Sequence, residues 1–475
     1  MNTDHAADGA ANGAADGAAD GAAHHHAGHH DGHHDVVIVG GGVAGLSALW
    51  QLRHRDVVLL ESEERLGGRL MSLPRGDYWM NLGAHLFPGA GSHVERMTSA
   101  LGLETIAIPG AKFALSFNGR VYANKRVETY PFNLPLSPRE RIALADVGLR
   151  AVAAVKVWQD SQRERPGRLG RRFAGQLTDR SFRQLIGRPP ARVDTIFRAA
   201  GHRAASELED QSVATGGALF GGVWAGRKSL LSYNLDGGSG RLAEAIGAEL
   251  GHRVRLGARV TAVREEDGLV TVTLRERGEE RTLRARQVIM AAPAHVAHRV
   301  VDGLADDVAG VLAGIRYGPF VSAGVITTER GPMSYDRIYA LTATERSFDM
   351  LFNHANPLRT GRTRRPGGSL MVYAGGDGAR RMLELEDDAV AARYADDMVA
   401  VFPELRGNLG EIRIQRWEQG IPYRHPGFSF EPMRRYVRRE GNRIHFCGDY
   451  FGDLGNMELA AASGFRAALR AGAVT

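Results

Sequence analysis

Short apolar runs separated by glycine-rich turns recur along the chain and predict a parallel sheet with intervening helices. Residues 36–39 form one such run, rich in β-branched side chains and closed by glycine, as is typical of a buried parallel strand. A helix is predicted to about residue 52, and a second strand over residues 56–60. Further strands are predicted at residues 254–256, 259–263, 288–293 and 443–449, with a hairpin formed by residues 270–275 and 281–284. The pattern indicates an α/β fold whose core is assembled from separated parts of the chain.

Two long stretches between these runs show amphipathic helices and fewer strands. Ser137 and Pro138 open a long helix over residues 137–159, whose buried face is expected at Ile142, Leu144, Ala145 and Leu149. Asn118-Gly119 marks a hairpin turn. The other helices predicted in these stretches are at residues 94–101, 181–186, 191–200, 206–211 and 387–402, and strands are predicted at 317–328 and 370–374. A further strand at 412–417 is predicted in the last segment of the α/β domain. These stretches predict an α+β substrate domain interleaved with the α/β domain.

The resulting division of the chain has three parts. Residues 35–91, 229–301 and 411–475 are assigned to the α/β domain, and residues 92–228 and 302–410 to the substrate domain. Residues 1–34 are low in complexity and rich in Ala, Gly and His, so they can bury little surface and are expected to be disordered. Their histidines could bind a metal, although a flexible tail without chemistry is the simpler interpretation. No other metal site is expected.

The turn after the first strand has the spacing of a nucleotide-binding loop. Gly40, Gly42 and Gly45 fit G-x-G-x-x-G, in which the glycines allow the tight turn, the approach of a pyrophosphate and close helix–strand packing. Glu61 ends the second strand about 20 residues later, where an acid suits a ribose hydroxyl. Val43, Ala44 and Ser62 adjoin these positions and complete the predicted contacts. Strand, loop, helix and acid together predict a Rossmann-like dinucleotide site.

The residues after Glu61 distinguish between dinucleotides. Glu61, followed by Glu64-Arg65-Leu66-Gly67-Gly68-Arg69, resembles the E-x5-GGR segment of the flavoprotein superfamily that contains amine oxidases, protoporphyrinogen oxidases and carotenoid desaturases. The resemblance implies bound FAD and a GR2-type flavoprotein fold. It extends in sequence order through the centre of the chain to its carboxyl end.

The same resemblance implies roles for further residues. Gly67, Gly68 and Arg69 would run beside the FAD diphosphate, and the backbone of Val260 would hold the adenine edge. The segment containing Gly83, Ala84 and His85 would pass the flavin ring. Gly448 and Asp449 would meet the ribityl and diphosphate groups, while Asn456 and Met457 would bring the start of the closing helix to the flavin.

Composition narrows the class of protein. The chain has 475 residues, 43% hydrophobic and 24% charged, which is ordinary for a globular enzyme of two or three domains. Its single cysteine, Cys447, excludes an internal disulfide framework and favours a reducing, cytoplasmic location. No apolar run approaches the roughly 18 residues that a membrane span needs, although peripheral membrane contact is compatible with the net charge of +6. No nucleic-acid-binding signature is present.

The catalytic chemistry is less marked than the cofactor site. Amine oxidases of this superfamily usually place a lysine near the flavin, but this chain has no lysine after Lys228. They also often carry a flavin-linking cysteine after the Trp-x-x-Gly stretch, and Trp417 to Pro422 contains none. Non-covalent FAD is therefore expected. The W-x-x-G-I-P-x-x-x-P-G pattern of residues 417–427 looks more like the protoporphyrinogen oxidase and desaturase branch. His85, Tyr423 and Asp453 are the candidate catalytic residues.

Three hypotheses for function follow. The first is an FAD-dependent oxidase or dehydrogenase that takes hydride from a C–C or C–N bond of a small to mid-sized, fairly apolar molecule, with oxygen, a quinone or another compound as electron acceptor. The second is an amine oxidase with an altered aromatic cage: the two aromatic residues that usually surround the amine in these enzymes are not both present, because Asp453 and Leu454 stand where one of them is expected. The third is a non-oxidative flavoprotein resembling UDP-galactopyranose mutase, suggested by Tyr130-Pro131-Phe132.

Overall fold

The computed structural model describes residues 33–109, 113–123, 127–163, 165, 167–224, 232–360 and 364–473, which are organised around two seven-stranded sheets. The strands, in chain order, are β1 (His33–Val39), β2 (Val57–Leu60), β3 (Ser72–Arg75), β4 (Tyr78–Asn81), β5 (Thr105–Ala107), β6 (Phe113–Phe117), β7 (Arg120–Tyr122), β8 (Tyr233–Leu235), β9 (Val254–Arg255), β10 (Ala258–Glu266), β11 (Leu269–Glu276), β12 (Glu279–Met290), β13 (Arg316–Thr327), β14 (Ala340–Ala343), β15 (Met350–Asn353), β16 (Gly368–Gly375), β17 (Leu409–Tyr423) and β18 (Ile444–Phe446). The α-helices are α1 (Val43–Gln51), α2 (His93–Ala100), α3 (Tyr130–Asn133), α4 (Pro138–Ser161), α5 (Arg168–Arg172), α6 (Ala174–Asp179), α7 (Phe182–Ile186), α8 (Ala191–Gly201), α9 (Val213–Trp224), α10 (Gly240–Leu250), α11 (Ala294–Val300), α12 (Asp306–Gly314), α13 (Gly376–Leu383), α14 (Asp387–Val401), α15 (Glu431–Arg438) and α16 (Met457–Ala473).

The first sheet carries the parallel core that the apolar runs predict. Its order is β10–β11–β12–β1–β2–β9, and β18 pairs in parallel with the end of β12. The strands β12, β1, β2 and β9 also pair in parallel, and apolar clusters lie on both of their faces. Because parallel strands share one carboxyl edge, the residues after β1, β2 and β18 meet at the same edge of the sheet.

The second sheet lies beside that edge and has two different faces. Its order is β17–β13–β16–β15–β14–β6–β7, mostly antiparallel. Val321, Ala323 and Val325 of β13 belong to a core cluster that includes residues of α13 and α14. On the opposite face, the Ser322 hydroxyl donates to the Leu82 carbonyl at 2.7 Å, which fixes the chain leaving β4 against this sheet.

The long helix α4 corrects one prediction. Ser137 forms the expected capping box with Glu140, and the helix begins at Pro138. However, Ile142 and Leu149 are 71% and 72% exposed, while the buried side consists of Leu144, Val147, Ala151, Ala154 and Val155. The helix has apolar residues on two sides, and its neighbours cover only one of them.

Other sequence predictions also change in position. The hairpin strand at 281–284 and the strand at 288–293 are one strand, β12. The strand at 412–417 is part of the fifteen-residue β17 in the second sheet, so the predicted domain boundary at residue 411 falls inside a strand. Residues 206–211 form turns after a short 3₁₀ segment and are not helical. His33 and His34, predicted as tail, pair with β12, and the rest of that tail lies outside the described residues.

In the described part of the chain, no helix is both long and apolar enough to cross a bilayer. The predicted hairpin at Asn118-Gly119 is confirmed, because β6 and β7 pair across it and Asn118 has a φ of 51°.

Candidate active site

The glycine loop after β1 is shaped by close backbone packing on one side and open space on the other. A Cβ on Gly45 would overlap the Gly40 carbonyl oxygen, and one on Gly40, where φ is +108°, would lie 3.0 Å from the Ala291 carbonyl carbon. A Cβ on Gly42 would meet nothing within 4 Å. The helix α1 begins immediately after Gly42 and has no side-chain cap, so its first N–H groups are available to an anion.

The Glu61 carboxylate stands at the edge of this loop. One oxygen accepts a hydrogen bond from the Gly41 N–H at 2.6 Å, and the other accepts from the Ser62 hydroxyl at 3.1 Å and the Glu63 N–H at 2.9 Å. The residue is buried. A carboxylate oxygen has two acceptor positions, so Glu61 can hold the loop and also accept from a ribose hydroxyl.

A second glycine loop lies against the first. The Gly67 N–H donates to the Gly41 carbonyl at 2.9 Å, and a Cβ on Gly68, where φ is +55°, would come within 3.3 Å of the Gly42 Cα. The backbone of Glu61 also contacts the start of β10, since the Ala258 N–H donates to the Glu61 carbonyl at 2.8 Å. Val260 lies two residues further, at a register irregularity of β10 that interrupts the ladder.

Arg69 joins the amino-terminal loops to the carboxyl-terminal part of the chain. Its guanidinium donates to the Gly420 carbonyl at 2.9 Å and to the Asp449 carboxylate at 2.7 Å. It also lies 6.0 Å from the ring centre of Tyr317, whose hydroxyl accepts from the Ala294 N–H at 3.0 Å. The sequence did not single out Tyr317, because nothing marks the first residues of β13 as facing the glycine loops.

The closing helix α16 packs directly on α1. A Cβ on Gly464 would overlap the Ala44 carbonyl oxygen, so the helices are in backbone contact there. The Ser463 hydroxyl accepts from the Gly448 N–H at 2.9 Å, which fixes the Gly448-Asp449 turn. Asn456 caps α16 by accepting from the Leu459 N–H at 2.9 Å, and Met457 is its first helical residue.

These features test whether the residues fit FAD. An open position at Gly42, an uncapped helix start and a buried carboxylate are what a dinucleotide requires at its diphosphate and ribose. Arg69, next to the glycine loops, is hydrogen-bonded to Asp449 through its side chain. Its backbone carbonyl accepts from the Ala84 N–H at 3.1 Å, so the same residue also contacts the Gly83-Ala84 segment. Gly83 and Ala84 are accessible while His85 is buried. The residues therefore fit an extended dinucleotide that ends beside Gly83 and Ala84.

His85 lies in a buried group of rings rather than at an open surface. Its Nδ1 is 3.2 Å from the Gly83 carbonyl, and its ring centre is 4.7 Å from Phe352 and 4.8 Å from His354. Burial lowers the pKa of His85 to about 4, and burial also lowers the pKa of His354. Both imidazoles are therefore neutral near pH 7. Among the described residues, Nε2 of His85 and both ring nitrogens of His354 have no hydrogen-bond partner.

Tyr423 and Asp453 lie together in a different place. Tyr423 forms an isolated β-bridge with Leu454, and burial raises the pKa of its hydroxyl. The Asp453 carboxylate accepts from the Trp158 indole at 2.9 Å and the Gln162 amide at 3.2 Å. Among the described residues, His85 shares no hydrogen bond or ring contact with Tyr423 or Asp453, so the three candidates do not form one catalytic group.

The second sheet contributes an aromatic surface that sequence analysis missed. The rings of Phe320 and Tyr373 are 4.9 Å apart, and Tyr373 is 5.9 Å from Phe352, which contacts His85. At the other end, a Cβ on Gly420 would lie 2.7 Å from the Phe320 ring. We call Phe320, Tyr373 and Phe352 the aromatic wall. These rings come from three strands, and no local motif identifies them.

Comparisons with known proteins bear on the whole chain. A family model described as flavin containing amine oxidoreductase matches residues 43–471. The chain is similar to the coproporphyrinogen III oxidase of Mycobacterium tuberculosis, with 26% identity over 427 residues that cover 82% of this chain and 87% of that protein. It is also similar to a probable flavin-containing monoamine oxidase A of Dictyostelium discoideum, with 34% identity over 88 residues, 18% of this chain and 19% of that one.

Solved structures share the architecture. Cyclohexylamine oxidase from Brevibacterium oxydans superposes with a TM-score of 0.74 at 18% identity, covering 93% of this chain and all of that one (100%). A putrescine oxidase variant gives a TM-score of 0.73, also at 18% identity, covering 93% of this chain and 99% of that chain. At these identities the likeness shows the fold alone.

Proposed function

The chain belongs to the family of flavin-containing amine oxidoreductases, and from that premise we propose that it removes hydride from a C–C or C–N bond of a fairly apolar organic substrate. The resemblance drawn from the glycine motifs is confirmed, as are the α/β fold and the class of FAD-dependent oxidoreductase. An isomerase that resembles UDP-galactopyranose mutase is therefore not retained.

The aromatic wall is the observation that carries the substrate proposal. It begins at Phe320 beside Gly420, which Arg69 holds, and ends at Phe352 beside His85. The three rings offer an apolar surface, which suits a flat, apolar portion of a substrate. The mycobacterial relative, named coproporphyrinogen III oxidase, supports the same branch because the match spans most of both chains.

Bound FAD would supply the two-electron acceptor, and the protein has to position the substrate against it. The loops at Gly42 and Gly68, with Glu61 and the Arg69–Asp449 pair, would hold the cofactor. The aromatic wall would orient a C–H bond and exclude water. His85, whose ring is buried, would position the Gly83-Ala84 segment beside the flavin through the contact of its Nδ1 with the Gly83 carbonyl. Tyr423 and Asp453 remain candidate cavity residues.

We propose that FAD is held non-covalently. Cys447, the single cysteine of the sequence, is completely buried in a core cluster, and burial raises the pKa of its thiol. Acid precipitation of the yellow protein should leave the flavin absorbance in the supernatant. Colour retained in the pellet would contradict this proposal.

The deciding experiment is an anaerobic titration of the holoenzyme against porphyrinogens, polyenes and amines, with flavin absorbance near 450 nm as the readout. Bleaching by a porphyrinogen or a polyene supports the proposal. Bleaching by amines alone would favour the amine oxidase alternative, to which the family name and the neighbouring structures point. Reoxidation by oxygen, measured as peroxide, or by a quinone would then identify the electron acceptor.

Peripheral contact with an anionic membrane is a separate proposal about partners. Phe132, Ile142 and Leu149 are each more than 70% exposed, and residues 130–190 hold twelve Lys or Arg against five Asp or Glu. Co-sedimentation with anionic vesicles that is lost in an Ile142→Ser/Leu149→Ser variant would support it. Equal sedimentation with neutral vesicles would contradict it. A cytoplasmic location stays a prediction.

A further inference from the structure

A cavity of about 220 Å³ lies between α15 and α16, outside the predicted FAD contacts. It is lined by two arginine pairs and by four smaller or apolar side chains: Arg434, Arg438, Arg466, Arg470, Val437, Phe446, Phe451 and Ser463. We call this cavity the arginine cleft. The four guanidinium groups bring four positive charges to it, and none of the lining side chains carries a negative charge.

Within each helix two arginines stand one turn apart, and Arg434, Arg438 and Arg466 are exposed while Arg470 is half-buried. Arg434 and Arg438 are four residues apart on α15, as are Arg466 and Arg470 on α16. Like charges at this spacing destabilise a helix, and here the two pairs also share one cavity. Burial, together with the charge of Arg466, lowers the pKa of Arg470, as expected where positive charges crowd.

The surrounding protein does not neutralise these charges. Arg434 lies 3.8 Å from Glu431 at the edge of the cleft. In the described ranges, Arg438, Arg466 and Arg470 form no ion pair and no side-chain hydrogen bond. By contrast, the neighbouring Arg435, which points elsewhere, is paired with Asp307 at 3.2 Å. Among the described residues, three of the four arginines that line the cavity therefore have no acidic partner.

We propose that the arginine cleft is a binding site for a small phosphate-bearing anion. Guanidinium groups match phosphate oxygens in paired hydrogen bonds, and a group with two or more negative charges offsets more of the repulsion than a single carboxylate does. Phe446 and Phe451 add an apolar surface, so a phosphate ester with an organic portion fits the cleft as well as inorganic phosphate does.

The cleft is close to the cofactor site without being part of it. Ser463 lines the cleft, and its hydroxyl accepts from the Gly448 N–H at 2.9 Å. Asp449 follows Gly448 and pairs with Arg69. The cleft is thus one hydrogen bond away from the turn that is predicted to meet FAD.

The test is calorimetric titration of the holoenzyme with inorganic phosphate, inorganic pyrophosphate and phenyl phosphate, each against sodium chloride of equal ionic strength. The Arg438→Gln/Arg470→Gln variant should weaken pyrophosphate binding at least about tenfold, since two charge-assisted contacts are lost. The charge-matched control is Arg439→Gln/Arg393→Gln, because both arginines are exposed and lie outside the cleft. It should bind within about twofold of the wild type.

Two further readouts keep the proposal falsifiable. Without ligand, the Arg438→Gln/Arg470→Gln variant should unfold at a higher temperature than the wild type, because repulsion is relieved. Phenyl phosphate binding more tightly than inorganic phosphate would assign the cleft to an ester, and the reverse order to free phosphate. Equal weakening in the control variant, release of FAD by pyrophosphate, or no binding beyond the chloride control would overturn the proposal.

Discussion

The Arg69–Asp449 pair is expected to couple the fold to cofactor binding. It joins residues 380 positions apart through a 2.7 Å hydrogen bond, with Asp449 9% exposed and Arg69 33% exposed. In an Asp449→Asn variant the side-chain shape and one acceptor oxygen are kept while the charge is lost. A hydrogen bond to a charged group contributes about 1.5–3 kcal/mol, and the partial exposure of Arg69 reduces this, so we expect the free energy of unfolding to fall by about 1–2 kcal/mol.

The same change should weaken FAD binding, since Arg69 would no longer be held beside both glycine loops. A loss of about 1.4 kcal/mol corresponds to a dissociation constant about tenfold higher. Urea unfolding of the apoprotein would measure stability, and quenching of FAD fluorescence during reconstitution would measure affinity.

A matched control is available at the Arg75–Glu411 pair. It joins β3 to β17 at 2.6 Å, and its arginine is as exposed as Arg69, at 33%, but its carboxylate is 40% exposed where that of Asp449 is 9% exposed. Exposed pairs are screened by solvent, so Glu411→Gln should change neither stability nor FAD affinity measurably. Equal loss of FAD affinity in both variants, or none in Asp449→Asn, would refute the reasoning.

Three further predictions concern the glycines and His85. Gly42→Ala should leave apoprotein stability near that of the wild type while weakening FAD binding, because its Cβ would enter open space. Gly45→Ala should instead unfold the domain, because its Cβ would overlap the backbone. Circular dichroism and FAD titration would distinguish the two outcomes. Burial lowers the pKa of His85 to about 4, so its contribution of about 3 kcal/mol to the free energy of unfolding should be present above pH 6.5 and be lost as the pH falls from 6.5 through 4. His85→Gln should flatten that part of the pH–stability curve. Gly464→Ala should lower the unfolding temperature by separating α16 from α1, while Gly472→Ala, whose Cβ would lie 3.7 Å from the nearest side chain, should not lower it.

The cofactor loops could be predicted because their requirements are local. A tight turn from a strand into a helix at a dinucleotide site requires glycine at fixed positions, here Gly40 and Gly45. The requirement is therefore visible as a spacing motif in the sequence. The pairing of Arg69 with Asp449 has no such local signal. The sequence placed both residues near FAD only through two separate segments of the family resemblance, and their direct contact was not expected.

The aromatic wall could not be predicted from any one segment. Phe320, Phe352 and Tyr373 face one another because β13, β15 and β16 are aligned in register, and that register is set by pairing between distant parts of the chain. The contact between His354 and His85 could not be predicted for the same reason. His354 follows β15 and is far from His85 along the chain, yet their rings are in contact. Side chains brought together by sheet register do not leave a spacing motif.

The wrong prediction that Ile142 and Leu149 of α4 are buried has a related physical cause. Ile142, Ala145 and Leu149 have helical spacing, and so do Leu144, Val147 and Ala151, so the periodicity supports either side as the buried one. The choice depends on where the neighbouring helices pack, and they cover the second set. An apolar stripe therefore predicts that a helix forms, but tertiary contacts decide which of two stripes is buried. The uncovered stripe is then available for a partner, which is why the membrane experiment uses Ile142 and Leu149.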